Sequence, residues 1–430
     1  MSHRGTSAYI SIMNILFLVR LWPEFGGGET VTRSLANEFE KRGNNVHVIY
    51  FVDSKISNFA MLDDRIVSYR IDNVKCDQNS YDVSMAEFVN QQICNYIRQN
   101  SIEIVINQWI PLEYTTSIKI KTSAKVVKCL HTSFYNRISI SYRLSKLLKP
   151  EIKHGSIIAN TIKEVVKILI APFYEYFLEK KAIQEVEQYF PYIDKYIFLS
   201  TQFLNQYLEV SNHYNYKEKV FAISNPLSQK EYYQYEPNSK EKIVLIVGRL
   251  EESCKNISRA IKVWANVEKD SKSRFSEWKF QIVGDGSSKL EYETLVSNLN
   301  LKKVEFLGFQ DPVPYYKNAS IFLMTSSLEG FGMTLVEAQC YGVVPIVMDS
   351  FLSLHDIITN EENGLIIPNG DISAFTKALF RLMEDNKLWQ KLSYKSLQTC
   401  KQFDVTTIAD KWDILFNELE LNKNKYDYTM

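Results

Sequence analysis

The sequence predicts an α/β protein of two Rossmann-like domains whose parallel sheets face each other across a cleft. Short apolar runs rich in Ile, Val and Phe alternate with helix-length amphipathic segments along the 430 residues. Continuous apolar runs are typical of strands whose two faces are both covered by helices. About thirteen such runs occur, which is too many for one twisted sheet, since such a sheet rarely exceeds ~10 strands without splitting.

The predicted strands follow in order along the chain. In the first half they are 15–19, 46–52, 66–71, 102–106, 126–130 and 196–199. In the second half they are 220–223, 243–247, 280–283, 304–307, 321–324, 344–348 and 365–367. Because strands alternate with helices, we expect parallel pairing through right-handed crossovers.

The order of the strands also predicts the domains. We expect a first domain over 1–215 and a second over 216–403. The seam is predicted in the polar stretch 211–219 or in the turn-rich stretch 224–241 just after it. A final helix within 404–430 is expected to pack back on the first domain.

Composition excludes several classes of protein. Lys plus Arg and Asp plus Glu each number 50, so binding of nucleic acid through bulk charge is not expected. The six cysteines are far apart without a C-x-x-C, which argues against a disulfide framework or a cysteine zinc site and fits reduced cytoplasmic thiols. No run of 18 uncharged apolar residues occurs, so no membrane-spanning helix is expected.

One basic segment interrupts the alternation, within an expected helical insertion at about 137–190. Residues 137–170 carry seven Lys or Arg against two acids, with apolar residues interleaved. A stretch of this kind can lie on an anionic membrane face. An inserted helical hairpin with a solvated basic face gives the same pattern, so both interpretations stay open.

In the first half, two features follow strands. Gly27 and Gly28 lie between strand 15–19 and a helical pattern, where their flexibility allows close backbone approach to an anion at a helix start. A glycine-rich turn without a ligand is the alternative. His131 directly follows strand 126–130, so it should point into the cleft, where it can donate a hydrogen bond or polarise a ligand oxygen. A structural histidine is the alternative.

In the second half, cations and glycines follow strands. Arg249 and Lys255 come after strand 243–247 and offer a planar fork and a compact charge to a diphosphate. After strand 321–324, glycines permit a tight turn that leaves backbone amides free at a helix start. Those amides belong to Phe331, Gly332, Met333 and Thr334.

Two glutamates flank that turn. Glu329 precedes it and Glu337 lies about one and a half turns inside the following helix. Carboxylates in these places can accept hydrogen bonds from sugar and ribose hydroxyls. Alternatively, Glu329 is a capping group at the surface and Glu337 a buried pairing partner.

Taken together, these motifs resemble the retaining sugar-nucleotide glycosyltransferases of glycosyltransferase family 4. In the second half the matching motifs are Gly248-Arg249-Leu250, Lys255-Asn256, Leu307-Gly308-Phe309, Glu329-x7-Glu337, Ala338 and Gly342-Val-Val-Pro345. In the first half they are Gly26-Gly27-x-Glu29, Leu35-Ala36, Arg42-Gly43 and Val46-His-Val48. The resemblance covers nearly the whole chain and is loose over 137–190, the part that faces the acceptor in this family.

The resemblance implies the GT-B fold and sugar transfer with retention of the anomeric configuration. Arg249 and Lys255 would then hold the donor diphosphate, and Glu337 the ribose. Glu329 and the backbone of Phe331, Gly332, Met333 and Thr334 would hold the donor sugar and distal phosphate. His131 would approach the reacting carbon, Gly27 and Gly28 the phosphates, and the backbone near Phe309 the base.

The resemblance further implies that neither a metal nor another cofactor takes part, and the sequence shows no D-x-D motif in a comparable loop. Where the family has a glutamate after glycines, this chain has Phe351-Leu-Ser-Leu-His355-Asp356, and Asp356 is expected to stand in for it. We predict a glycosyltransferase that moves a sugar from a nucleotide-diphosphate donor, a UDP-sugar, to a glycan or lipid-linked acceptor hydroxyl at the cytoplasmic membrane face. A sugar-nucleotide epimerase of related fold and a non-catalytic nucleotide-sugar-binding protein are the alternatives.

Overall fold

The predicted architecture of two parallel α/β domains is confirmed by a computed structural model. The structure describes residues 12–22, 27–53, 63–72, 86–108, 110–131, 176, 180–211, 214–227, 239–270 and 274–427. The predicted basic segment 137–170 and Gly26 lie outside these residues. No helix among the described residues is both long and apolar enough to cross a membrane.

The first domain is a seven-stranded parallel sheet in the order β5-β3-β1-β6-β7-β8-β9. Its strands are β1 (Asn14–Leu18), β3 (Asn45–Tyr50), β5 (Val67–Arg70), β6 (Ile104–Asn107), β7 (Lys125–Leu130), β8 (Lys195–Phe198) and β9 (Val220–Ala222). The two-residue strands β2 (Leu21–Trp22) and β4 (Val52–Asp53) pair beside it. Four helices of this domain are α1 (Gly27–Lys41), α2 (Ala86–Gln99), α3 (Glu113–Lys121) and α4 (Thr201–Val210).

The first sheet extends beyond the expected boundary at 215/216. Strand β9, which the sequence analysis assigned to the second domain, pairs in parallel with β8, with Val220 opposite Tyr196. The Lys195 ammonium lies 4.0 Å from the centre of the Phe221 ring, which helps to hold this edge strand in place. The seam between the sheets therefore falls in the second stretch considered, 224–241.

The second domain is a six-stranded parallel sheet in the order β12-β11-β10-β13-β14-β15. Its strands are β10 (Ile243–Val247), β11 (Lys279–Val283), β12 (Val304–Gly308), β13 (Ile321–Met324), β14 (Val344–Asp349) and β15 (Leu365–Pro368). Its helices are α5 (Glu252–Lys255), α6 (Ile257–Asp270), α7 (Lys289–Asn298), α8 (Val313–Asn318), α9 (Met333–Cys340), α10 (Leu354–Ile357), α11 (Ile372–Glu384) and α12 (Asn386–Cys400). Apolar side chains from both faces of the sheet form two cores, as expected for strands covered by helices on each side.

The last helix, α13 (Val405–Asp427), packs on the first domain. Trp412 and Phe416 are buried there against Phe39 of α1. Arg42, directly after α1, reaches across to Asp413, with Nη1 2.5 Å from Oδ2. The first domain is therefore assembled from two separate parts of the chain.

The chain passes between the domains twice, and the two passages touch. After β9 it leaves the first domain, and after α12 it returns to it. The backbone nitrogen of Leu227 on the outward passage donates to the Phe403 oxygen on the return at 2.7 Å. Both side chains lie in one core cluster of the second domain. The two segments that connect the domains are therefore hydrogen-bonded to each other.

Candidate active site

The candidate site lies where the carboxyl ends of the central strands of both sheets meet. In open parallel α/β sheets this edge is where ligands bind. Strands β10 and β13 are neighbours in the second sheet, so the loops that follow them lie side by side. In the first sheet the corresponding ends are those of β1, β6 and β7.

Lys255 and Glu329 form the charged centre of the site. The Lys255 Nζ lies 2.6 Å from Glu329 Oε1, and the two side chains are 22% and 10% exposed. The Ser326 hydroxyl donates to the same carboxylate oxygen at 2.6 Å. The ammonium is therefore neutralised by a carboxylate that is itself held in place.

The turn that carries Lys255 is fastened to the loop after β13. Asn256 ends α5 in the left-handed region with φ +47°, a conformation that asparagine tolerates better than most residues. Its Nδ2 donates to the Ser327 hydroxyl at 2.7 Å, and the Thr325 hydroxyl donates to the Asn256 oxygen at 3.0 Å. These bonds fix the direction in which Lys255 leaves the backbone.

Arg249 is placed differently from Lys255. Its side chain is 73% exposed, and Nη1 lies 3.6 Å from a carboxylate oxygen of Glu251. The structure thus brings Lys255 and Glu329 into contact, while Arg249 stands at the rim with room to change rotamer. The backbone just before Arg249 is tightly packed, because a Cβ at Gly284 would lie 1.9 Å from the Gly248 oxygen.

The start of α9 faces this centre. Gly332 precedes the helix with φ +94°, a conformation that favours glycine, and no side chain caps the helix start. A small cavity is lined by Gly248, Lys255, Glu329 and Thr334, among others. The helix dipole and the uncapped amides give this cavity a positive end suited to an anion.

Phe331 and Met333 take part mainly through their backbone. The Phe331 ring is buried and lies edge-on against Phe403, with centroids 5.5 Å apart. Met333 packs on the core of the first domain. A Cβ at Gly27, the first residue of α1, would lie 4.0 Å from Met333 Cγ. Gly27 and Gly28 therefore begin a helix whose start lies against the start of α9.

His131 lies one residue beyond β7 and is buried. Its Nε2 is 2.5 Å from the Oε1 of Gln108, which directly follows β6. Burial, together with the positive charge of Lys128, lowers the pKa of His131 to about 3. At neutral pH the ring is therefore uncharged.

Glu337 and Phe309 mark the outer part of the site. The buried Tyr316 hydroxyl donates to Glu337 Oε2 at 3.0 Å, and burial raises the pKa of this carboxyl. One oxygen of Glu337 is therefore engaged by a buried partner, as the alternative interpretation of Glu337 in the sequence analysis expected. Phe309 follows β12 and is 49% exposed, beyond Gly308 with φ +73°.

Asp356 connects the domains. Its Oδ2 accepts from the Ser200 hydroxyl at 2.7 Å and from the Thr201 nitrogen at 2.6 Å, both at the start of α4 in the first domain. The sequence analysis expected Asp356 to stand in for a family glutamate; in the structure its Oδ2 caps a helix of the other domain.

Sequence reasoning missed three residues that the structure adds to the site. Gln108 and Ser326 hold the two candidate catalytic side chains, and the positive charge of Lys128 helps to lower the pKa of His131. Gln108 and Ser326 follow predicted strands within two residues, so the strand-end rule that selected His131 could have found them. No group of three or more His, Cys, Asp or Glu side chains that could hold a metal occurs among the described residues.

Comparison with known proteins gives one family match. Residues 229–399 match the family model described as Glycosyl transferases group 1. A GalNAc-α-(1→4)-GalNAc-α-(1→3)-diNAcBac-PP-undecaprenol α-1,4-N-acetyl-D-galactosaminyltransferase of Campylobacter jejuni is 28% identical over 205 residues, 47% of this chain and 56% of that protein. The amylovoran biosynthesis glycosyltransferase AmsD of Erwinia amylovora is 29% identical over 180 residues, 41% of this chain and 49% of that protein. The matched region thus spans about half the length of these curated relatives.

The whole chain also has structural neighbours. The crystal structure of Anabaena Alr3699/HepE in complex with UDP and glucose superimposes with a TM-score of 0.68, covering 94% of this chain and all of that one at 15% identity. At this level of identity the likeness shows the fold alone.

Proposed function

We propose that the protein is a retaining glycosyltransferase, because residues 229–399 match the family model of group 1 glycosyltransferases and the whole chain has the GT-B fold. It takes a sugar from a nucleotide-diphosphate donor, a UDP-sugar, and transfers it to a hydroxyl of a glycan or lipid-linked acceptor. The observation that carries this proposal is the convergence of Lys255, Glu329 and the uncapped start of α9 at one strand edge, opposite the start of α1.

The donor groups follow from this arrangement. Lys255 and the amides of Gly332, Met333 and Thr334 receive the diphosphate, and Arg249 closes on it from the rim. Glu329 binds hydroxyls of the donor sugar. These groups supply positive charge without a metal, since a cation and a helix start both stabilise phosphate oxygens.

The outer contacts bind the nucleoside. Glu337 presents its second oxygen to the ribose while Tyr316 holds the first. The backbone around Phe309 meets the base, and Gly27 with Gly28 approaches the phosphates from the first domain. Each group lies at the carboxyl edge of its sheet, which supports a donor that spans this edge.

In the chemical step, the bond between the anomeric carbon and the diphosphate oxygen breaks, and its electron pair leaves with the diphosphate. The acceptor oxygen forms a bond to the same face of the anomeric carbon, and its proton passes to the departing diphosphate oxygen. Fixed positive groups aimed at that oxygen lower the barrier because charge develops there. Glu329 acts by position and charge, and no covalent nucleophile is needed.

The names of the relatives support the acceptor class. The Campylobacter relative carries a PP-undecaprenol-linked glycan in its name, and the Erwinia relative acts in amylovoran biosynthesis. We therefore place the reaction in surface-polysaccharide or glycolipid assembly at the cytoplasmic membrane face, with the basic segment 137–170 as the membrane contact.

The double variant Arg249→Ala with Lys255→Ala tests the proposal. Two charge-assisted contacts to the diphosphate are lost, so turnover of the UDP-sugar should fall by well over about tenfold. The control is Arg274→Ala with Lys279→Ala, which removes the same charge away from this strand edge. Donor turnover within about tenfold of wild type would contradict the diphosphate assignment.

Product analysis completes the test. NMR of the product should show the anomeric configuration of the donor, and inversion would contradict retention. Conversion of the UDP-sugar in the absence of any acceptor would instead indicate an epimerase. UDP binding without turnover on a panel of membrane glycolipids would indicate a binding protein.

A further inference from the structure

We propose that Gln108 is a positioning residue that fixes the orientation of the His131 ring at the donor sugar. This inference rests on the proposed function, because it assigns His131 to the reacting end of the donor. Gln108 has no counterpart among the motifs that led to the proposal. The role proposed for Gln108 is inferred from the contacts of the first domain alone.

The backbone of Gln108 is held by strands β6 and β1. It follows the last residue of β6, and its backbone nitrogen donates to the oxygen of Leu18, the last residue of β1, at 3.1 Å. The residue is only 2% exposed. A buried amide side chain has few allowed rotamers and must find a partner, since an unpaired polar group there is costly.

That partner is the His131 ring. Strands β6 and β7 are neighbours in the sheet, and Asn107 pairs with Lys128, so Gln108 and His131 come close together at the same sheet edge. The Gln108 Oε1 is 2.5 Å from His131 Nε2. A carbonyl oxygen accepts, so Nε2 carries the ring proton, and this bond sets both the tautomer and the plane of the ring.

Lys128 braces the backbone from which Gln108 projects. Its buried Nζ donates to the Ile110 oxygen at 3.0 Å and to Asn107 Oδ1 at 3.3 Å. The same Asn107 oxygen accepts from the Ile110 nitrogen at 2.9 Å. The ammonium thus ties together the residues on either side of Gln108, and its position scarcely depends on the His131 ring.

The uncharged ring suits the chemistry proposed for the site. An oxocarbenium-like sugar gains positive charge as the diphosphate leaves, so a cationic ring beside it would raise the barrier. Lys128 and the burial of His131 oppose protonation of the ring, while Gln108 accepts a hydrogen bond from the one N–H of the neutral ring. Orientation and charge are in this way controlled by two separate residues.

The test compares Gln108→Leu with Gln108→Glu. The leucine removes the acceptor, and kcat should fall by about tenfold. The affinity for UDP, measured by calorimetry, should stay unchanged, because neither Gln108 nor His131 is assigned to the diphosphate. The glutamate keeps an acceptor oxygen at the same reach, so at high pH it should restore much of kcat. Its charge favours the imidazolium, so the acid limb of the kcat–pH profile should move to higher pH.

Tyr96→Phe is the matched control. The Tyr96 hydroxyl lies 3.0 Å from Nδ1 of His47, so this variant removes a hydrogen bond to another histidine of the same sheet. We expect it to leave kcat and its pH profile unchanged. A Gln108→Leu variant no slower than Tyr96→Phe, or one that loses UDP affinity as much as turnover, would overturn the inference. An unshifted profile for Gln108→Glu would also overturn it, even if the leucine variant does not fold.

NMR of the wild-type protein labelled at histidine nitrogens separates this inference from the proposed function. A neutral His131 ring protonated at Nε2, and a raised ring pKa in Gln108→Glu, are the expected results. A ring protonated at Nδ1 would overturn the inference whether or not any sugar is transferred. Failure of every UDP-sugar to react in wild type would overturn the proposed function and leave the ring measurement valid.

Discussion

Lys255 meets a carboxylate before any donor arrives. The 2.6 Å contact with Glu329 balances the charge that a diphosphate would otherwise find free. A donor must therefore compete with Glu329 for the ammonium, and Glu329 must turn toward another partner. Hydroxyls of the donor sugar can supply that partner, so the exchange couples recognition of the sugar to recognition of the phosphates.

Glu329→Gln tests whether the Glu329 carboxylate competes with the donor for the Lys255 ammonium. The amide no longer competes as an anion, so UDP should bind at least as tightly as to wild type. Turnover should fall by roughly tenfold or more, because a hydrogen bond to a charged group is worth about 1.5–3 kcal/mol. Calorimetry with UDP and initial rates with the UDP-sugar measure the two effects.

The matched control for that prediction is Glu361→Gln, which breaks the contact of Glu361 with Arg381, also at 2.6 Å, in the same domain. It should change neither quantity. Weaker UDP binding in Glu329→Gln alone would mean that the carboxylate supports the phosphates, contrary to our assignment.

For single residues, the sequence indicated which side chains follow the strands, but it did not indicate which side chains they would contact. Lys255 and Glu329 were both predicted for the donor, yet their mutual contact requires β10 and β13 to be neighbours, and the chain order alone does not determine that. The bond from Tyr316 to Glu337 joins a buried helix to the site in the same way. The assignment to family 4 and the roles of these residues stay predictions.

Among the elements, strands of three or more residues were predictable from their apolar runs, whereas the sheet that a short strand joins was not. The run 243–247 coincides with β10, because five apolar residues covered on both faces have no other favourable place. Val220–Ala222 has the same character, but three residues do not indicate which sheet they join. The contact of Asp356 with the start of α4 was not predicted, because a helix cap from another domain leaves no local pattern.

Asp356→Asn tests the contact between α4 and α10. Replacing the carboxylate weakens its bonds to Ser200 and to the Thr201 nitrogen and removes a negative charge from a helix start. We expect the free energy of unfolding to fall by about 1 kcal/mol, measured by urea denaturation. Small-angle scattering should show a larger radius of gyration.

Asp349→Asn is the control for this variant. Asp349 is the last residue of β14, and its partner at 3.0 Å is the exposed His355 of its own domain. An exposed pair of this kind contributes about 0–1 kcal/mol, so neither the radius nor the stability should change appreciably. Equal effects of the two substitutions would argue against a specific contact between the domains.

For the whole molecule, α13 makes the first domain depend on residues that follow the second. Phe416 is fully buried and lies edge-on to Phe39, with centroids 5.4 Å apart. Phe416→Ala should lower the free energy of unfolding by about 3–5 kcal/mol, the usual cost of emptying such a site. Ile414→Ala on the same helix removes a side chain that is 63% exposed and should change stability by less than about 0.5 kcal/mol.

Thermal denaturation of both variants measures the difference. Hydrogen exchange should locate the Phe416→Ala effect in α1 and the first sheet. Loss of protection confined to the second domain would contradict the packing described above.

The return of α13 has a consequence for synthesis on the ribosome. Residues 243–403 are contiguous, so the second domain has its whole core once Phe403, which follows α12, has emerged from the ribosome. The first domain is translated earlier, yet it lacks Trp412 and Phe416 until the ribosome has passed them. Multidomain chains generally fold from the N-terminus onward as they are made. In this chain the earlier-translated domain is completed last, so its unfinished apolar face is what chaperones would meet during elongation.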